Sequence, residues 1–114
     1  MTLPFLPTPF YDTVIVPIFQ EIENRLGANR VRYGPNPTRH HPPCLNPFLW
    51  VVNPNGSTYQ AIAFTLIGGS DTIDVLVANH FDDSQNLNQA LRYKETVSFA
   101  SFDAQALIGK HLKI

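Results

Sequence analysis

The chain has 114 residues, 44% hydrophobic and 15% charged, enough to bury roughly 65% of its unfolded surface without a metal or disulfide staple. A formal net charge of -1 excludes the strongly basic class that coats nucleic acid or membrane surfaces, and a single cysteine, Cys44, excludes an internal disulfide. No apolar run approaches the ~20 residues that cross a bilayer. One cytoplasmic domain over residues 1–114, with no membrane contact, is the expectation.

Residues 1–10 alternate Pro4, Pro7 and Pro9 with Leu3, Phe5, Leu6 and Phe10. They lack a basic flank and a continuous apolar stretch, so they do not read as a signal peptide. Proline is excluded from helix interiors, so an extended tail is expected there. A helix follows to Leu26. Ile15, Phe19, Ile22 and Leu26 fall on one stripe of a 3.6-residue period. Pro17 fits the first turn, which places the start near Val16. Gly27 is placed to end it, and residues 30–33 can form a short strand.

Residues 34–47 hold Pro35, Pro37, Pro42, Pro43 and Pro47 and show no periodicity. A long irregular loop is expected, and such loops are commonly functional. Next come three apolar segments, residues 48–53, 58–67 and 72–79. Asn53, Pro54, Asn55 and Gly56 match a type I turn closed by a glycine, which joins the first two as a hairpin. Alternation in the second and third places Ile62, Phe64, Leu66, Ile73, Val75 and Val77 on one face. The opposite face (Ala61, Ala63, Thr65, Thr72, Asp74, Ala78) is small and more polar, and is expected to meet water or a partner.

Asp82 or Asp83 can cap a second helix with Leu87, Ala90 and Leu91 inside. Residues 96–100 alternate as a fourth strand, and the intervening length permits a parallel crossover. Asp103 can cap a last helix to Leu112, with Phe102 and Leu107 placed as a hydrophobic staple. The fold class is therefore α+β. It comprises an antiparallel three-stranded meander plus a fourth strand, with an N-terminal helix and two C-terminal helices packed on one face.

The chemistry-bearing residues are few. His40, His41 and Cys44 in the proline-rich loop, joined by His80, offer zinc-type ligands, but no paired-cysteine or helical histidine motif accompanies them. Cys44 with a histidine is also the pairing a thiol nucleophile needs, without the local helix start that would activate it. His80 precedes Asp82 and Asp83, which helix capping explains. Charge is segregated: Arg25, Arg30, Arg32 and Arg39 lie in an acid-free stretch, and acids follow from Asp71. Arginine suits bidentate carboxylate contacts and interfaces.

No phosphate-cradling or serine-hydrolase motif is present, and nothing calls for a cofactor. The first reading is a non-catalytic protein-interaction or adaptor domain, acting as a homodimer, with Arg30, Arg32, Tyr33, Arg39 and Trp50 as the contact residues. The alternative is a small enzyme or metal-binding protein centred on His40, His41, Cys44 and His80. Nucleic-acid binding through the arginines is a third reading, with less to support it.

Overall fold

The computed structural model describes residues 7–34, 37–38, 44–82, 84 and 87–114. The fold is α+β, a twisted antiparallel sheet with its long helices on one face. The helical part begins with α1 (Pro7–Phe10), passes through a π-helical turn (Tyr11–Ile15) and continues as α2 (Val16–Leu26).

The helix expected from Val16 to Leu26 is α2, while the expectation that residues 7–10 are extended is corrected, because α1 and the π turn precede it. Pro7 and Pro9 occupy the first turn, where a missing N–H costs nothing. Pro17 lies inside the helical run, and the π turn resolves the conflict. The N–H of Val16 bonds the carbonyl of Tyr11, five residues back, so the helix widens just before the pyrrolidine ring. Thr13 Oγ1 donates to the Pro9 carbonyl at 2.7 Å. Gly27 ends α2 at φ 105°, its N–H on the Glu23 carbonyl at 2.8 Å.

Among the described residues seven strands follow: β1 (Val31–Gly34), β2 (Pro37–Thr38), β3 (Cys44–Leu45), β4 (Phe48–Val52), β5 (Tyr59–Ile67), β6 (Thr72–Phe81) and β7 (Arg92–Ser98). β3 and β4 pair with the same edge of β5, end to end, and β2 and β1 pair with them in turn. The break falls at Asn46 and Pro47, where the Phe64 N–H donates to the Pro47 carbonyl at 3.0 Å. The sheet thus has five ribbons in chain order, each antiparallel to the next.

The expected meander is present but larger, and the 34–47 stretch is not wholly a loop, because residues 37–38 and 44–45 are paired strands. The strand expected at 96–100 is β7. It pairs antiparallel with β6 from Arg92 to Ser98, and Phe99–Ser101 turns as a 3-10 helix.

The hairpin turn matches its sequence reading. The Gly56 N–H donates to the Asn53 carbonyl at 2.9 Å, and Gly56 adopts φ 78°. Asp103 caps α4 (Ala104–His111), its carboxylate accepting from the Ala106 N–H at 3.1 Å. Of the helix expected between 82 and 91, the described residues show α3 (Leu87–Ala90).

Ile62, Phe64, Leu66, Ile73, Val75 and Val77 are all buried, in one layer with Ile15 and Phe19 from the N-terminal helix and Leu107 and Ile108 from α4. Phe64 stacks on Phe19 (6.5 Å, 14°) and meets Phe102 edge-on (5.0 Å, 89°). The N-terminal helix and α4 therefore share a face, as expected, while Ala90 of α3 packs on the other side.

Removing the ring of fully buried Phe19 by Phe19→Ala should cost about 3–5 kcal/mol in urea unfolding. Val14→Ala, at a 39% exposed site one helical turn away, should stay within about 0.5 kcal/mol.

Candidate functional site

The face away from the helices is organised by register. Arg32 lies opposite Trp50, Trp50 opposite Ala61, and Ala61 opposite Ala78, one row across four strands. In the next row the N–H of Val52 bonds the Arg30 carbonyl, Val52 is opposite Tyr59, and Tyr59 opposite Phe81. Residues two apart on a strand share a face, so the rows lie side by side.

Ala61 and Ala78 are small, and three rings lie over them. Trp50 meets Tyr59 edge-on at 4.8 Å and stacks on Phe81 at 5.7 Å, while Tyr59 and Phe81 are 5.6 Å apart. Ala61, Ala63 and Ala78 are buried. The expectation of a face open to water or a partner therefore needs correction at this end of the sheet, where the rings form a second, smaller core.

The ring cluster ends in charge. The Arg32 guanidinium lies 5.4 Å from the Trp50 ring centroid, a cation–π contact worth about 0.5–1 kcal/mol at an exposed site. Arg30 Nη2 donates to the Val52 carbonyl at 3.3 Å. Both arginines are exposed. Together with Trp50, Tyr59, Val52 and Gly56 they line a cleft of about 260 Å³. A more open groove of about 650 Å³ runs past Arg32, Tyr33, Phe48 and Trp50. The indole Nε1 of Trp50 is buried with no hydrogen-bond partner among the described residues. β1 pairs only with β4, so among the described residues its outer edge carries no strand.

Of the contact residues expected from sequence, Arg30, Arg32 and Trp50 come together on this face. Tyr33 points to the other side, its ring 5.7 Å from Phe19. Arg39 lies outside the described residues, as do His40, His41 and Asp83.

The backbone of Cys44 is opposite Ile67, whereas His80 belongs to a bulge of β6 opposite Gln60. Ile67 and Gln60 lie at the two ends of β5, roughly 23 Å apart at ~3.3 Å per strand residue. Cys44 and His80 are thus not neighbours, and among the described residues no three His, Cys, Asp or Glu side chains form a metal-type cluster. No helix among them is long and apolar enough to cross a membrane.

Sequence reasoning missed the Trp50–Tyr59–Phe81 cluster. Its signal was small residues at 61 and 78 beside large aromatics on their own strands and on β4, readable only once register is known.

Two ionic arrangements are local. Asp82 is held below the ordinary aspartate range by hydrogen bonds from the side chain and the N–H of Ser84. Glu95 on β7 receives Lys110 Nζ at 3.0 Å and faces His111 Nε2 at 3.5 Å, and the Lys110 contact chiefly holds its carboxyl below the ordinary glutamate value. Compared with family models, with curated proteins and with solved structures, the chain matches none.

Two measurements check this geometry. Because the Trp50 N–H is buried unpaired, Trp50→Phe should change stability by less than about 1.5 kcal/mol. Trp50→Ala should cost about 2 kcal/mol or more and raise the exposure of Tyr59 fluorescence. For Glu95, a folded-state value below the unfolded one means a stabilising contribution present at neutral pH and lost as pH falls through the lowered value. Carboxyl-carbon NMR should show Lys110→Met moving the Glu95 midpoint up toward the ordinary glutamate value.

Proposed function

We propose that this protein is a non-catalytic interaction domain whose contact surface is edge strand β1 with Arg30, Arg32 and Trp50. Its occupant is an extended acidic segment of another protein. The observation that carries this reading is the Arg32–Trp50 stack beside Arg30, the residue just before β1, at a strand whose outer edge is unpaired among the described residues.

An incoming strand would take main-chain hydrogen bonds from that edge and set alternate side chains over the same face. Carboxylates on that strand would meet the two guanidinium groups, which suit bidentate pairing. The indole supplies a rigid apolar floor, and Trp, Tyr and Arg are the residue types enriched at binding hot spots.

Charge also argues against the simplest homodimer. Two copies joined β1 to β1 would bring arginines against arginines, and like charges across strands are destabilising. A second copy would instead have to present its own acidic stretch around Asp71 and Asp74, and this is the competing occupant.

A fluorescein-labelled peptide alternating Glu with Val should bind in anisotropy titrations, with affinity falling as salt rises. Arg32→Glu should weaken it about tenfold or more, as removal of a charge-assisted contact predicts. The corresponding Lys/Val peptide should not bind. Absence of binding by the acidic peptide, or binding indifferent to Arg32→Glu, would overturn the proposal. Sedimentation velocity of the unliganded protein should show a monomer. Self-association abolished by Arg32→Glu would instead assign the surface to a second copy.

A further inference from the structure

At the Tyr59 end of β5, but on the side of α4, the register slip between β5 and β6 creates a second concavity. Tyr59 pairs with Phe81 and Ala61 with Ala78, so Asn79 and His80 together oppose the single residue Gln60. The extra residue turns Phe81 onto the ring cluster and leaves Asn79 and His80 both exposed.

Gln60, 4% exposed, fixes the chain after α4. Its Nε2 donates to the Lys113 carbonyl at 3.0 Å, and its Oε1 accepts the Lys113 N–H at 2.7 Å. That two-way clamp brings His111 and Lys113 over the bulge, and the 53–56 turn closes the third side. Asn53, Asn55, Gln60, Asn79, His80, His111 and Lys113 with Pro54 line a cavity of about 390 Å³.

A hydrogen-bond network centred on Thr58 reaches His80. Thr58 Oγ1 receives the amide groups of Asn53 (3.0 Å) and Asn55 (2.8 Å), which fill both its lone pairs. Its proton has two acceptors in reach, Asn55 Oδ1 at 3.1 Å and His80 Nδ1 at 3.3 Å. Asn55 Oδ1 already accepts the N–H groups of Ser57 and Thr58, each at 3.0 Å. His80 meets this hydroxyl through Nδ1, which sets Nε2 on the opposite side of the ring.

The lining residues are four side-chain amides, two histidines, Lys113 and one proline, and none is acidic. Glu95, behind His111, is compensated by Lys110 at 3.0 Å. A cavity of this size lined by a few polar side chains is of the kind that holds small molecules.

From this geometry we infer that the cavity formed by the β6 bulge, the hairpin turn and the clamped C-terminal segment binds the oxyanion group, carboxylate or phosphate, of a small organic molecule. The site is separate from the β1 surface, and neither reading depends on the other.

The test is NMR titration of the full chain with inorganic phosphate and, separately, citrate, at ionic strength held constant with sodium chloride. Saturable shifts should appear at the side chains of Asn53, Asn79 and His80. Lys113→Glu, at an exposed position, should weaken binding about tenfold or more while leaving the melting temperature in place. His80→Ala should weaken it as well.

A response to phosphate alone assigns the site to phosphorylated ligands, a response to citrate alone to carboxylates, and a response to both to oxyanions generally. No saturable shift at these residues, or shifts spread evenly over the surface lysines and arginines, would overturn the inference. Affinity untouched by Lys113→Glu would overturn it too.

Discussion

The ring of Phe64 lies between two other aromatic rings, stacked on Phe19 and met edge-on by Phe102, and the architecture follows from that contact. Phe19 belongs to the helix that opens the described chain, and Phe102 immediately precedes the cap of the helix that closes it. One residue in the middle of the central strand therefore fixes both helices to the same face. Phe10 extends the contact, its ring 5.7 Å from Phe102 and 5.2 Å from Phe99, which ties the two helical segments to each other as well as to the sheet. Aromatic pairs of this kind add about 0.5–1.5 kcal/mol each beyond the area they bury.

With both long helices committed to one side, the other side of the sheet is covered mainly by its own strands, with Ala90 of α3 packed against them. It manages this with Trp50, Tyr59 and Phe81 lying on Ala61 and Ala78. The bulge that steers Phe81 into that cluster also exposes Asn79 and His80, so one register slip produces both the aromatic floor and the polar cavity. The edge strand then places two arginines beside the floor. Packing and candidate function are in this sense the same event: side chains left over after the core is filled are the ones available for recognition.

Much of the core was legible because period-two alternation in β5 and β6 and period-3.6 spacing in the N-terminal helix are local signals. The 53–56 turn and the Asp103 cap were legible for the same reason, since each depends on residues within a few positions. The helical residues before Val16 were not. Proline rules applied to Pro17 in isolation exclude a helix interior, and only a π turn, invisible to pattern, relieves the clash. Register was equally hidden. Ala61 and Ala78 read as a solvated face because the rings covering them are contributed by other strands or by a residue beyond a bulge. The arginine and tryptophan contact residues were named from composition, and what gives Arg32 and Trp50 a common purpose is a cross-strand pairing that no single stretch encodes. Tyr33, the neighbour of Arg32, faces the helices simply because adjacent strand residues point to opposite sides.

The most direct test is a nuclear Overhauser measurement on the aromatic rings of the protein in solution. The account predicts cross-peaks from the Phe64 ring to both Phe19 and Phe102, a separate set among Trp50, Tyr59 and Phe81, and none between the two sets. A cross-peak joining Phe64 to Trp50, or loss of either contact to Phe64, would mean that the helices and the arginine-bearing strand do not occupy opposite faces, and would contradict it.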